Sequence, residues 1–206
     1  MNLTDLTVKE FLDKVAGDSA APGGGSVSAL AGALSAALCA MVARLTLGKA
    51  QHREVWEDME ALRDSADALH ARLLELVEQD SAAYRKVIEA FQLPKDSGSS
   101  RSEAIQSALK EATMVPLETL RDAAKLVDLA DAAIGKGNPN CLADAGVSAQ
   151  LIRAAAIGAA YNVRTNLSAA KDQNFSSRIA AETSELLNKI MQSMERLEGV
   201  LGNRLR

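Results

Sequence analysis

The sequence predicts an all-α fold: an antiparallel bundle of about six helices, several of them long, around a central helix rich in Ala and Gly. Three observations carry this. Apolar residues recur at three- and four-residue steps along almost the whole chain, and two-residue alternation is nearly absent. The stretches between these runs are short, as between antiparallel neighbours. Hydrophobic residues make up 48% of the 206 residues but aromatics only 3%, so Ala and Leu must fill the core and helices must approach closely. The length suits a single domain over residues 1–206.

A first helix is expected from Thr7 to Ala16, with Val8, Phe11, Leu12 and Val15 on one face. Pro22-Gly23-Gly24-Gly25-Ser26 follows, and then an uncharged run of small residues from Val27 to Ala43. Three successive glycines leave no Cβ to block a ligand or a second backbone. Ser26 is placed to cap the next helix, whose bare N–H groups attract anions and polar ligand groups. The plainer alternative is a sharp turn into a tightly packed helix. That helix ends near Leu47-Gly48, a glycine C-cap. The uncharged run falls short of the roughly 20 residues of a membrane span and is largely Ala, Gly and Ser, so it reads as a buried central helix.

A third, long helix is expected from Arg53 to Phe91, with Val55, Met59, Leu62, Ala66, Leu69, Leu73 and Val77 in one stripe, continued by Tyr84, Val87 and Phe91. Leu93 to Ser100 reads as a loop. A fourth helical region carries Ile105, Leu109, Ala112, Leu117, Leu120, Ala124 and Val127, and Pro116 should kink or break it. After a turn at Gly135–Asn140, a fifth helix runs from Leu142 to Ala169 and a sixth from Asn174 to Leu201.

The net charge of −4, with no basic and aromatic platform, argues against a nucleic-acid surface. Cys39 and Cys141 lie far apart among small residues and read as free buried thiols; no close Cys/His set exists for zinc, and no metal is expected. Met1–Asp5 lacks the basic and apolar regions of a signal peptide, and a cytoplasmic location is expected. Neither His52 nor His70 compels a catalytic role. The lysine of a P-loop is missing after Gly25, and a dinucleotide fingerprint would need a strand where residues 6–17 read as helix.

Two places break the helical pattern. Asp80 occupies the stripe position between Val77 and Tyr84, where a carboxylate faces the interior or an interface. Burial raises the pKa of such a group and suits it to proton transfer near neutral pH; the alternative is an Asp paired with an interior Arg or Lys. On the fifth helix, Asp144, Ser148, Ile152, Ala155, Ala159, Asn162 and Asn166 share one side, polar at both ends and small between. Helix capping, bonds to adjacent helices or a polar subunit seam would explain it, as would a groove binding a flat heteroaromatic such as a pterin or purine.

An ordered set of residues completes the reading: Ala21-Pro22-Gly23-Gly24-Gly25-Ser26; Met41-Val42, Leu45-Thr46 and Gly48-Lys49; Asp80 and Ala83-Tyr84; Leu93-Pro94-Lys95; Val115-Pro116-Leu117; Gly137-Asn138, Asn140 and Asp144-Ala145-Gly146-Val147; Gly158-Ala159, Asn162-Val163 and Asn166. In these the chain resembles the cyclodeaminase/cyclohydrolase family of tetrahydrofolate enzymes over nearly its whole length. The resemblance implies an elongated helical subunit that forms homodimers, with a folate cleft close to the subunit interface. It implies Asp80 as the catalytic acid, and Pro22, Gly23, Gly24, Gly25, Ser26, Tyr84, Asn138, Asn140, Asp144, Asn162 and Asn166 as substrate-binding residues. One departure is Ala143, where members commonly carry Ser before the Asp. The implied reactions are ring closure of 5-formimidoyltetrahydrofolate with loss of ammonia, or hydrolysis of the 5,10-methenyl bridge. Neither calls for a cofactor beyond the folate substrate. Lys49 and Lys95 are candidates for the glutamate tail, or plain solvated lysines. A non-catalytic folate-binding or scaffold protein of the same fold is the alternative function, and a helical interaction module a third.

Overall fold

The computed structural model describes residues 2–94 and 98–205. Six α-helices follow one another: α1 (Val8–Val15), α2 (Gly24–Leu47), α3 (Trp56–Gln92), α4 (Gly98–Lys136), α5 (Leu142–Ser168) and α6 (Gln173–Arg204). Short 3-10 turns precede α1, α3 and α5, and no strand occurs among the described residues. At 37 and 39 residues, α3 and α4 are each about 55 Å long by helical rise, so the bundle is elongated.

The small residues of α2 decide the packing. It lies between α3 and α5, antiparallel to both. Gly32 meets Leu73 of α3, and Gly25 meets Asp80 about two turns further along. On the other side Gly24 meets Asn162 of α5, Ser28 meets Gly158, and Ser35 bonds Ser148 at 3.0 Å. Cys39 joins that last pair at 3.0 Å, and its burial pushes the thiol up to about 11. Both cysteines are free and buried. The helix is long and apolar enough to span a membrane by length and composition, being 24 residues rather than the shorter run read from the sequence. Its place here is inside the bundle, where Ala29, Ala33, Ala36, Ala40 and Ala43 are sealed against α3 and α5.

Three expectations change. Gly23, not Ser26, is the N-cap of α2, which starts at Gly24 and carries Ser26 in its first turn; the Ser26 hydroxyl is drawn to α3 instead. Of the apolar face of α1 only Phe11 is buried, while Val8 and Leu12 stay 79% and 59% exposed beside Leu34. The helix is only eight residues long and lies outside α2 and α3, so Phe11 alone is buried in the core and Val15 packs half-buried against it. Finally, α4 runs through Pro116 without a break. Pro116 cannot donate to the carbonyl of Ala112, four residues earlier, but Nδ2 of Asn166 donates to that oxygen at 2.8 Å. A side chain from α5 thus replaces the lost helical bond.

Candidate active site

The first turn of α2 packs against α3, and Asp80 stands where Gly25 and Ser26 meet it. The residues around it form a cleft of about 190 Å³ between α2, α3, α4 and α5. Gly23, Gly24 and Gly25 form one wall; Asp80, Tyr84 and Val87 of α3 another; Asn162, Thr165 and Asn166 of α5 the third, with Ala112 of α4 below. Gly25 is a steric requirement here, while Gly24 has room only for a tight contact. A methyl group on Gly25 would fall inside the Asp80 carboxylate, and one on Gly24 would sit 3.4 Å from Nδ2 of Asn162.

Asp80 is held by its neighbour on α2. The Ser26 hydroxyl lies 2.8 Å from Oδ2 and also contacts the Val77 carbonyl and the Ser81 hydroxyl, each at 3.1 Å. Burial pushes the Asp80 carboxyl above the usual carboxylate range, and the hydroxyl and backbone N–H of Ser26 pull it partly back. No Arg or Lys forms an ion pair with it among the described residues. Asp80 is therefore no part of a structural salt bridge among the described residues, and a buried carboxylate without a cationic partner has the chemistry to carry a proton. Asn162 and Asn166 are anchored through their amide nitrogens, to Gly158 O at 2.8 Å and to Ala112 O. Each therefore keeps a carbonyl oxygen as an acceptor in a cleft whose opposite wall is made of donors.

With this geometry in view, the chain can be set beside known proteins. The formiminotransferase-cyclodeaminase family model matches residues 7–185. This chain belongs to that family. A methenyltetrahydrofolate cyclohydrolase of Methylorubrum extorquens is 36% identical over 194 residues, 93% of either chain. The formimidoyltransferase-cyclodeaminase of Mus musculus is 34% identical over 191 residues; the match covers 91% of this chain but 35% of the mouse protein. A crystal structure of formiminotetrahydrofolate cyclodeaminase from Thermotoga maritima superposes with a TM-score of 0.90 at 29% identity, covering 99% of this chain and all of the other.

In this member of the formiminotransferase-cyclodeaminase family, the chain brings together only part of the set singled out from sequence. Gly23, Gly24, Gly25, Asp80, Tyr84, Asn162 and Asn166 share the cleft, and Ser26 stands directly behind Asp80. Pro22 is buried and borders a different cavity, behind the glycine wall. Asn138, Asn140 and Asp144 lie at the far end of α2. The backbone N–H of Asn138 donates to Thr46 Oγ1 at 2.9 Å and its amide to Leu45 O at 3.2 Å, while its own Oδ1 accepts from the Asn140 N–H at 3.1 Å. Leu45 is twenty residues from Gly25, about 30 Å along the helix, so these three residues are remote from Asp80. Lys49 is at that far end too, and Lys95 lies outside the described residues.

Sequence reasoning missed Ala20, Ala21, Val87, Ala112 and Thr165 as lining, and Ser81 as a partner of Ser26. Val87 continues the stripe seven residues past Asp80 and was findable on that ground. It also missed a neighbouring cavity of about 360 Å³ one helical turn onward, where Phe91 follows Val87, Leu109 precedes Ala112 and Ala169 follows Asn166. Arg101 and Lys171 line it, with no carboxylate among its described lining residues.

Proposed function

We propose that the chain is a folate one-carbon enzyme acting on the carbon carried between N5 and N10 of tetrahydrofolate. The observation that carries this is a buried carboxylate of raised pKa, without a cationic partner, at the floor of a cleft walled by free amides and anchored asparagines. The relatives' names supply the substrate class. In the ring-closing reaction N10 attacks the formimidoyl carbon, and Asp80 takes the N10 proton and delivers it to the departing nitrogen, which leaves as ammonia. In the hydrolytic reaction water attacks the methenyl carbon, Asp80 takes a proton from it and gives it to N5 as the C–N5 bond opens, and the remaining hydroxyl proton passes to Asp80 as the 10-formyl carbonyl forms. Both pass through a tetrahedral carbon, and one carboxylate serves both. The glycine wall lets the pteridine approach the backbone closely, and Asn162 and Asn166 offer acceptors to its N–H groups.

The cavity beyond Val87 extends the reading to the rest of the substrate. Phe91, Ile105 and Leu109 suit the benzoyl ring, and Arg101 and Lys171 suit the glutamate carboxylates. These two join Lys49 and Lys95 as candidates for the tail.

The chain forms a homodimer in this reading, through the outer faces of α2 and α5. Val27, Leu34 and Leu45 of α2 and Val147 and Tyr161 of α5 are exposed there, an apolar face that runs from the cleft to the Asn138 turn. A two-fold axis crossing α2 at right angles sets the Asn138–Asp144 end of one subunit beside the Asp80 cleft of the other. The site is then composite, and a cytoplasmic location suits an enzyme of this substrate class.

The direct experiment follows methenyltetrahydrofolate absorbance and ammonia with Asp80→Asn. A fall of at least about a hundredfold is expected, and wild-type turnover removes Asp80 from the mechanism. Co-assembly of Asp80→Asn with Asp144→Ala subunits tests the composite site: mixed dimers regain activity where the two ends meet across the interface, and stay inactive where they do not.

A further inference from the structure

We propose that the hydroxyls of Ser26 and Ser81 form an exit path by which the proton released in hydrolysis leaves Asp80 for a second cavity behind the active site. The proposal rests on the folate reading and assigns this site the hydrolytic reaction.

Two cavities meet at the segment Ala21–Gly23. One is the cleft in front of Asp80. The other, of about 490 Å³, lies behind Pro22 and is bordered by Lys14, Asp18, Glu78, Ser81 and Arg85. Ser26 is fully enclosed and Ser81 is 2% exposed. Oδ2 of Asp80, Oγ of Ser26 and Oγ of Ser81 follow one another at 2.8 and 3.1 Å. A hydroxyl both accepts and donates, so each serine can receive a proton on one side while giving one up on the other. The third neighbour of Ser26, the Val77 carbonyl at 3.1 Å, only accepts; it can hold the hydroxyl hydrogen at rest but cannot pass one on. Asp80 therefore has two faces: Oδ1 beside Gly25, and Oδ2 on a hydroxyl chain leading to the rear cavity.

The proton balance says which reaction needs such a chain. Ring closure from the formimidoyl amidinium turns one cation into another and releases neutral ammonia. The proton taken from N10 leaves on the ammonia, and Asp80 ends the cycle as it began. Hydrolysis consumes a methenyl cation and water and yields a neutral 10-formyl compound, so one proton must leave the site in every turnover. With substrate filling the front cleft, a carboxyl that has accepted that proton is cut off from solvent on that side. The path behind it stays open: the Asp80 O–H donates to Ser26 Oγ, the Ser26 proton passes to Ser81 Oγ, and the Ser81 proton passes to water in the rear cavity. The carboxylate is then ready for the next water. The raised pKa of Asp80 is consistent with this duty, since a carboxyl that keeps its proton needs a way to lose it.

The test is the buffer dependence of methenyltetrahydrofolate hydrolysis. Wild-type turnover is expected to be insensitive to buffer concentration. Ser81→Ala is expected to hydrolyse at least about tenfold more slowly in dilute buffer, and rising concentrations of a small proton acceptor such as imidazole are expected to restore the rate. Ser81→Cys, with a poorer donor at the same position, gives the same readout where the alanine variant does not fold. A Ser81→Ala enzyme at wild-type rate in dilute buffer, or one whose loss no buffer repairs, overturns the path. A wild-type enzyme that releases ammonia from formimidoyltetrahydrofolate but does not hydrolyse the methenyl compound overturns it as well, while leaving the folate reading standing. Inertness toward both substrates removes that reading and the path together.

Discussion

Asn166 donates its amide to the Ala112 carbonyl at 2.8 Å, and that carbonyl is the one Pro116 leaves without its helical N–H. A proline inside a 39-residue helix is thus tied to a residue of the candidate active site. Two facts that look unrelated in the sequence, a helix breaker in α4 and a polar residue on α5, are one hydrogen bond in the fold.

That bond predicts a thermodynamic coupling. Asn166→Ala removes the donor and should cost about 1 kcal/mol of stability. Pro116→Ala gives position 116 an N–H that can serve Ala112, so Asn166→Ala should cost less in that background. Denaturant unfolding of the two single variants and the double variant measures the difference; strict additivity would show that the two residues do not share the carbonyl.

Asp80 should cost the fold stability at neutral pH. Its carboxyl is pushed up by burial, so the folded state holds the proton more tightly than the unfolded chain does. The sign follows: this contribution favours the folded state at pH values below the unfolded pKa and is lost as the pH rises through the folded one. At neutral pH the buried anion is a net burden. Asp80→Asn should therefore raise the Tm at neutral pH, with the gain over wild type shrinking toward acid. Thermal melts of both proteins across that range decide it, and an unchanged or lowered Tm at neutral pH would count against the assignment.

Gly25→Ala should be more damaging than an alanine elsewhere in α2. Its methyl group meets the Asp80 carboxylate, so the carboxylate must turn away from Ser26 or α3 must move. Strain of about 1–3 kcal/mol is the expected cost, with kcat falling more steeply than stability. Ala31 or Ala37, on the partly open side of the same helix, should accept a larger side chain with smaller effects on kcat. Steady-state kinetics beside unfolding curves separates the two effects.

Lys171→Glu reverses a charge in the cavity beyond Val87. The expected result is a higher KM that grows with the number of glutamates on the substrate, at nearly constant kcat, and that weakens as salt is added. Equal KM changes for mono- and polyglutamate substrates would place the tail elsewhere.

Much of this architecture was legible because a 3.6-residue period leaves a clear trace. The long helices, the central small-residue helix and the stripe position of Asp80 follow from spacing alone. Asn162 and Asn166 were readable for the same reason, as polar groups at the end of a small-residue face. What was not legible depends on register between helices. Nothing in the spacing says that α2 runs antiparallel to α5, so Asn138, Asn140 and Asp144 could not be separated from Asp80 by some 30 Å. Ser26 sits where a cap is expected, and only the approach of α3 shows that its hydroxyl goes to Asp80. Pro116 carries the usual signal of a break, and the group that rescues it comes from fifty residues later in the chain.

The packing of α2 has a consequence for how new specificities arise. At one end of this helix Gly25 sets how near Asp80 stands, and Gly24, with Ser28 against Gly158, sets how near Asn162 stands. The helix acts as a shim between two jaws, and its thickness is counted in single methyl groups. Adding or removing one such group on the side that faces α5, away from Gly25, would widen or narrow the mouth while leaving Asp80 on Ser26. Evolution, or a designer, can therefore retune which one-carbon unit fits by editing a strip of Gly, Ala and Ser that never needs to touch it.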